Sequence, residues 1–131
     1  MNKKILLVAI IIILIGGVIL GICLFKDETN NVVGEFKLSD FQNDINRHSL
    51  DKMVEKINNA EEAKVQAEKL WIENFGRFVK REKPYNVSYD SANKVWLVYG
   101  SLPGKLGEYF GGVAYILIQT DGKVLAIWHG K

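Results

Sequence analysis

Residues Ile5–Phe25 read ILLVAIIIILIGGVILGICLF, twenty-one positions without one charged side chain. As a helix this run is about 31 Å long, enough to cross the hydrocarbon core of a bilayer. A helix also bonds every backbone N–H and C=O internally, as lipid demands. A cleaved signal peptide would show a shorter apolar stretch and a small-x-small site, whereas this run passes straight into Lys26-Asp27-Glu28. Leu20-Gly21-Ile22-Cys23 has the outline of a lipid-attachment box, but Ile22 is larger than such boxes prefer before the cysteine. The sequence therefore predicts an uncleaved anchor over residues 1–26, with lipoprotein processing at Cys23 as its rival. Lys3 and Lys4 precede the run, and Lys26 is followed by two acids. This bias puts the N-terminus inside and the rest of the chain outside the cell membrane. Gly17 and Gly21 form a GxxxG pair, which leaves a homodimer through the anchor open.

Of 17 Lys and Arg residues, Lys3, Lys4 and Lys26 flank the run, so 14 face 15 acids in the remainder. A near-neutral domain excludes a nucleic-acid binder that depends on a broad basic surface. Cys23 is the only cysteine of the 131 residues, which excludes a disulfide scaffold. The length allows one small domain.

Residues 27–58 are polar and weakly patterned and read as a tether. Ser49 is placed to cap a short helix over Leu50–Ile57, with Met53, Val54 and Ile57 on one side. Asn59-Ala60-Glu61-Glu62 then resembles a capping box. Ala60, Ala63, Ala67, Leu70, Trp71, Asn74 and Phe78 follow helical spacing. The small alanines let this helix lie close to a neighbour, Trp71 reads as a core anchor, and Gly76 is a stop.

Four strand candidates follow, at Tyr85–Tyr89, Val95–Gly100, Gly112–Thr120 and Lys123–His129. Asp121-Gly122 between the last two predicts a two-residue hairpin. A helix followed by a run of strands predicts an α+β domain over residues 59–131, one long helix on an antiparallel four-stranded sheet. If Thr120 pairs with Lys123, Ile118–Leu125, Ile116–Ile127 and Ala114–His129 share the face that suits the helix. The opposite face then carries Gln119–Val124, Leu117–Ala126 and Tyr115–Trp128. A solvated face should be polar, so residues 28–57 or a partner must cover it.

No metal-ligand spacing, nucleophile elbow or phosphate loop occurs. The two histidines, His48 and His129, are far apart. The glycine-rich stretch Gly100–Gly112 reads as a loop. The sequence thus predicts no catalytic residue, no metal and no cofactor. Lys80-Arg81-Glu82-Lys83, with an acid inside it, reads as a solvated turn.

Lys83-Pro84-Tyr85, Trp96-x-Val98-x-Gly100, Leu102-Pro103, Gly111-Gly112-Val113, Gly122-x-Val124-Leu125 and terminal His129-Gly130-Lys131 form an ordered series behind an Ala-rich helix. From about Ala60 to Lys131 the chain resembles the NTF2-fold immunity proteins of bacterial polymorphic toxin systems. The resemblance implies an NTF2-like domain; only one long helix precedes the strands here, a departure from the full form, so an abbreviated cone or cystatin-like roll is expected. It implies no enzymatic activity and a cognate toxin as partner, bound stoichiometrically and neutralised. The expected contact surface is Leu102, Tyr109, Phe110, Tyr115 and Trp128, chosen because Tyr and Trp dominate interface hot spots. Two rival readings stand beside it: an anchored extracytoplasmic binding or regulatory module, and a small cone-fold enzyme.

Overall fold

The computed structural model of the protein describes residues 32–102 and 112–130. The predicted membrane run Ile5–Phe25 lies outside the described residues. No helix among the described residues is long and apolar enough to cross a membrane. Asn31–Lys131 make one compact unit.

The elements run β1 (Val33–Glu35), a 3₁₀ turn (Leu38–Phe41), α1 (Gln42–His48), α2 (Ala60–Phe75), a second 3₁₀ turn (Arg77–Glu82), β2 (Asn86–Asp90), β3 (Val95–Tyr99), β4 (Ala114–Gln119) and β5 (Val124–His129). They form an α+β domain whose sheet has five strands, in the order β1-β2-β3-β4-β5. The expectation of four strands is corrected by β1, which pairs parallel to β2 through Val33 opposite Val87. A three-residue strand in a polar stretch carries too little pattern to announce itself.

α2 is the predicted long helix. Asn59 Oδ1 accepts the Glu62 amide at 2.9 Å, and Glu62 Oε2 reaches back to the Asn58 amide at 2.7 Å. This is a reciprocal cap displaced by one residue from the usual box. Gly76, at φ +89°, ends the helix. Ala63, Ala67 and Trp71 are wholly buried. They bring α2 close onto one face of the sheet, where Trp96, Val98, Ile116, Ile118 and Ile127 complete the main core. Phe78 does not share that stripe. The helix stops before it, and its ring is 72% exposed on the second 3₁₀ turn.

The second face holds another core, built on Val95, Leu97, Leu117, Ala126 and Trp128 and covered by Phe36, Leu38, Phe41 and Ile45. The chain's own residues before α2 are therefore the cover. Asp90 fixes this cover at one end, its Oδ2 accepting the Leu38 amide at 2.8 Å.

The helix expected over Leu50–Ile57 is corrected to an extended strap, and the short helix lies earlier, at Gln42–His48. Apart from a local Lys52 N–H to Leu50 O bond, the backbone of the strap bonds to the β4–β5 hairpin. Val54 N–H donates to Gly122 O at 2.8 Å, Ile57 N–H to Thr120 O at 2.9 Å, and Val124 N–H to Lys52 O at 3.0 Å. Gly122, at φ +100°, lies so close under Val54 that a Cβ would collide with its carbonyl.

The hairpin register is also corrected. Ala114–His129, Tyr115–Trp128, Ile116–Ile127 and Leu117–Ala126 pair as predicted, but a shift between Leu117 and Ile118 sets Ile118 opposite Val124. Gln119 N–H bonds to Lys123 O and Gly122 N–H to Gln119 O. Three residues, Thr120-Asp121-Gly122, thus form the turn, a tight bend closed by a glycine in the left-handed region. The shift behaves as a β-bulge. Val124 joins the helix-side core and Leu125 moves to the other face.

Candidate binding surface

β2 starts, β3 ends, β4 starts and β5 ends at one end of the sheet, as the antiparallel pairings require. The second 3₁₀ turn leads into this end, and the connection between Gly100 and Gly112 leaves from it. Every predicted contact residue within the described residues lies at this end.

On the face away from α2, four rings stack in a row. Tyr99, Tyr115 and Trp128 are register partners on adjacent strands. Tyr99 and Tyr115 stand 5.9 Å apart at 18°, and Tyr115 and Trp128 stand 5.1 Å apart at 5°. His48, from the end of α1, stacks on Trp128 at 5.8 Å and 17°. Phe41 flanks the same indole at 6.2 Å. Trp128 is thereby 9% exposed, so it supports the surface from beneath, while Tyr115 and Tyr99 are half-buried. Leu102 is 63% exposed. Tyr109 and Phe110 lie outside the described residues.

On the α2 side, Glu82 is buried at 3% exposure. Its Oε1 accepts the Ala114 amide at 2.7 Å, and its Oε2 lies 3.1 Å from His129 Nε2. His129 Nδ1 meets Gly130 O at 2.9 Å. The backbone carbonyl of Glu82 accepts the Ser101 amide, and its side chain fills the space a Cβ on Gly100 would need. One residue thus holds both stems of the Gly100–Gly112 connection. Each ring nitrogen of His129 meets an oxygen, so the imidazole is fixed between Glu82 and the Gly130 backbone and clamps the end of β5 to the second 3₁₀ turn. Phe75 closes over His129 edge-on at 5.8 Å.

Next to the clamp, Tyr85 OH donates to Glu68 Oε2 at 2.8 Å, and Lys83 Nζ lies 3.1 Å from the same oxygen. Burial pushes the Glu68 carboxyl up, but the Tyr85 hydroxyl and the Lys83 ammonium outweigh it and hold the group below its ordinary value. Burial and the adjacent carboxylate raise the Tyr85 phenol, so it stays a donor at neutral pH.

A cleft of about 330 Å³ lies elsewhere, between the strap and α2, with Lys52, Glu55, Lys69 and Glu73 among its walls. No group of three or more His, Cys, Asp or Glu among the described residues is placed to hold a metal ion. Trp96 Nε1 is buried and meets no acceptor among the described residues.

Four antiparallel strands with one long helix on their face are the frame the C-terminal motif series implied, and β1 adds a fifth strand to it. A family model described as NTF2 fold immunity protein matches residues 63–131, more than half of the chain. The chain belongs to the NTF2-fold immunity protein family. No curated protein and no solved structure matches it. In this immunity-family chain the matched region takes in most of α2 and all of β2–β5, hence Glu82, His129, Tyr99, Tyr115 and Trp128. The cover formed by residues 32–48 precedes it. The sequence reading missed Tyr99, His48, Glu82 and Phe75. Tyr99 becomes a neighbour of Tyr115 only once the β3–β4 register is known. Glu82 was hidden in a basic run, and His48 and Phe75 join the site through tertiary packing alone.

Proposed function

We propose that the protein binds a cognate bacterial toxin domain and neutralises it by stoichiometric contact, without chemistry of its own. Membership of the NTF2-fold immunity family carries this reading. The presented surface supports it: half-buried Tyr99 and Tyr115 on a preformed stack, beside exposed Leu102. Rigid aromatic rings give large contact area at small entropic cost, which is why they anchor interfaces. In this proposal Leu102, Tyr109, Phe110 and Tyr115 touch the toxin, and Trp128 holds Tyr115 in place.

The proposal includes the anchor. Ile5–Phe25 fixes the chain in the cell membrane, N-terminus inside, and the domain meets toxins that attack or cross the envelope. The full tagged chain, used as bait in the producer's lysate and medium, tests the function. Recovery of one large secreted protein through its C-terminal domain is the expected result. Recovery of an abundant envelope protein alone contradicts it and favours a regulatory module. An Asn30→Cys variant tests the topology: labelling by an impermeant reagent in intact cells is expected, and labelling only after lysis reverses it.

A further inference from the structure

The exposed apolar residues of the domain are not scattered. Seven large hydrophobic residues are exposed among the described ones: Val32, Val33, Met53, Val65, Phe75, Phe78 and Leu102. Five of the seven lie at the end of the sheet described above. Phe75 and Phe78 flank the end of α2, and Leu102 follows β3. Val32 and Val33 open β1, which runs parallel to β2 and so starts where β2 starts. Met53 and Val65 lie toward the hairpin tip.

The charge at this end is one-sided. Arg77, Lys80, Arg81 and Lys83 are exposed, while the one acid of the run, Glu82, is turned inward to Ala114 and His129. The run is the solvated turn that the sequence predicts, except that Glu82 is turned inward. Lys83 is held by Glu68. Glu73, on the last turn of α2, faces Lys52 instead. Arg77, Lys80 and Arg81 are thus exposed on the same 3₁₀ turn as the 72% exposed ring of Phe78, with the Arg81 guanidinium 4.7 Å from its centroid and Lys80 near enough to Glu68 to help hold that carboxyl down. Exposed rings among lysines and arginines are the composition of a surface that lies in the headgroup layer of an anionic membrane.

The chain itself says which surface is in reach. The uncharged run Ile5–Phe25 joins Val32 through Lys26–Asn31, six residues that reach roughly 20 Å when fully extended. Val32 lies at this same end. We infer that the Val32 and Phe78 end of the domain, with Arg77, Lys80 and Arg81, docks on the anionic headgroups of the bilayer that holds Ile5–Phe25. This inference rests on the anchor in the proposed function. Docking would hold the neighbouring toxin-contact residues at the membrane surface, where a toxin crossing the envelope must pass.

The test uses the full chain with Cys23→Ser and a single environment-sensitive fluorophore at Phe78→Cys. The control carries it at Ser91→Cys, in the β2–β3 turn at the opposite end. Both are reconstituted in nanodiscs of phosphatidylcholine alone or with phosphatidylglycerol. The expected result is a several-fold brighter, blue-shifted emission at position 78 with phosphatidylglycerol, and no change at position 91. Replacing Arg77, Lys80 and Arg81 by Gln should return position 78 to its phosphatidylcholine level, since each cation near an anionic surface contributes roughly fivefold. Emission at 78 that is equally dim in both lipids, in a chain that floats with liposomes, overturns the docking alone. A chain that fails to float overturns the docking and the anchor together.

Discussion

Glu82 Oε2 lies 3.1 Å from His129 Nε2, while the other oxygen of the same buried carboxyl accepts the Ala114 amide at 2.7 Å. Glu82 therefore ties the second 3₁₀ turn to the start of β4 and the end of β5. Removing it leaves the buried Ala114 amide without its acceptor and His129 Nε2 without its partner. Glu82→Ala should cost about 3 kcal/mol in urea unfolding of the full chain. Gly100→Ala should also destabilise, because its Cβ would stand 2.5 Å from Glu82 Oε1. A loss for Glu82→Ala within about 0.5 kcal/mol, the range of ordinary surface changes, contradicts the clamp.

The cap of α2 makes a smaller, sharper prediction. Asn59→Ala removes the acceptor of the Glu62 amide and should cost about 1 kcal/mol. Amide exchange at Glu62 should accelerate, and Asn59→Asp should restore most of the protection. Unchanged exchange at Glu62 in the Ala variant contradicts the cap.

The cover over the second sheet face should loosen in acid. The Asn93 amide and the Leu38 N–H hold the Asp90 carboxyl below its ordinary value of 3.8, against the opposing effect of burial. A depressed native value means that the stabilisation is present above pH 3.8 and is lost as pH falls through the lower native value. Amide exchange at Leu38 should accelerate in that acid window more than exchange at Ile116 in the main core. Asp90→Asn should abolish the difference. Equal acceleration at both amides contradicts a local role for Asp90.

Phe41 and His48 hold Trp128 under cover. Phe41→Ala should cost about 1–2 kcal/mol and expose the indole. Since Trp71 and Trp96 are buried in the other core, the red-shifted fluorescence it produces belongs to Trp128. Emission unchanged in Phe41→Ala contradicts the cover.

Much of this fold was readable from residue order. The Asn59 cap, the alanine stripe, the Gly76 stop and the four antiparallel strands follow from local chemistry, and the C-terminal motif series pointed to the family. Three features were not readable, each for a physical reason. β1 is three residues long and takes its hydrogen bonds from β2. The strap over Leu50–Ile57 has helical spacing, but its backbone finds better partners on Thr120 and Gly122. The β-bulge beside Ile118 arises because Gly122 at φ +100° closes a three-residue turn, which moves Val124 across the sheet. At the candidate surface, Tyr115 and Leu102 were legible as interface residue types. That Trp128 needs a cover was legible from its apolar sheet face, with residues 28–57 as one of two candidates; that Phe41 and His48 supply it was not, because they reach it through tertiary packing alone.

The central claim is neutralisation by stoichiometric binding, and a titration tests it most directly. A fixed amount of the toxin domain captured from the producer is mixed with increasing full-length protein, and complex formation and residual toxicity are read together. The account predicts that toxicity falls in proportion to complex formed and is gone at one protein per toxin domain, with the endpoint lost in Tyr115→Ala. Abolition of toxicity at a small fraction of that ratio, or saturating protein that forms no complex, contradicts it.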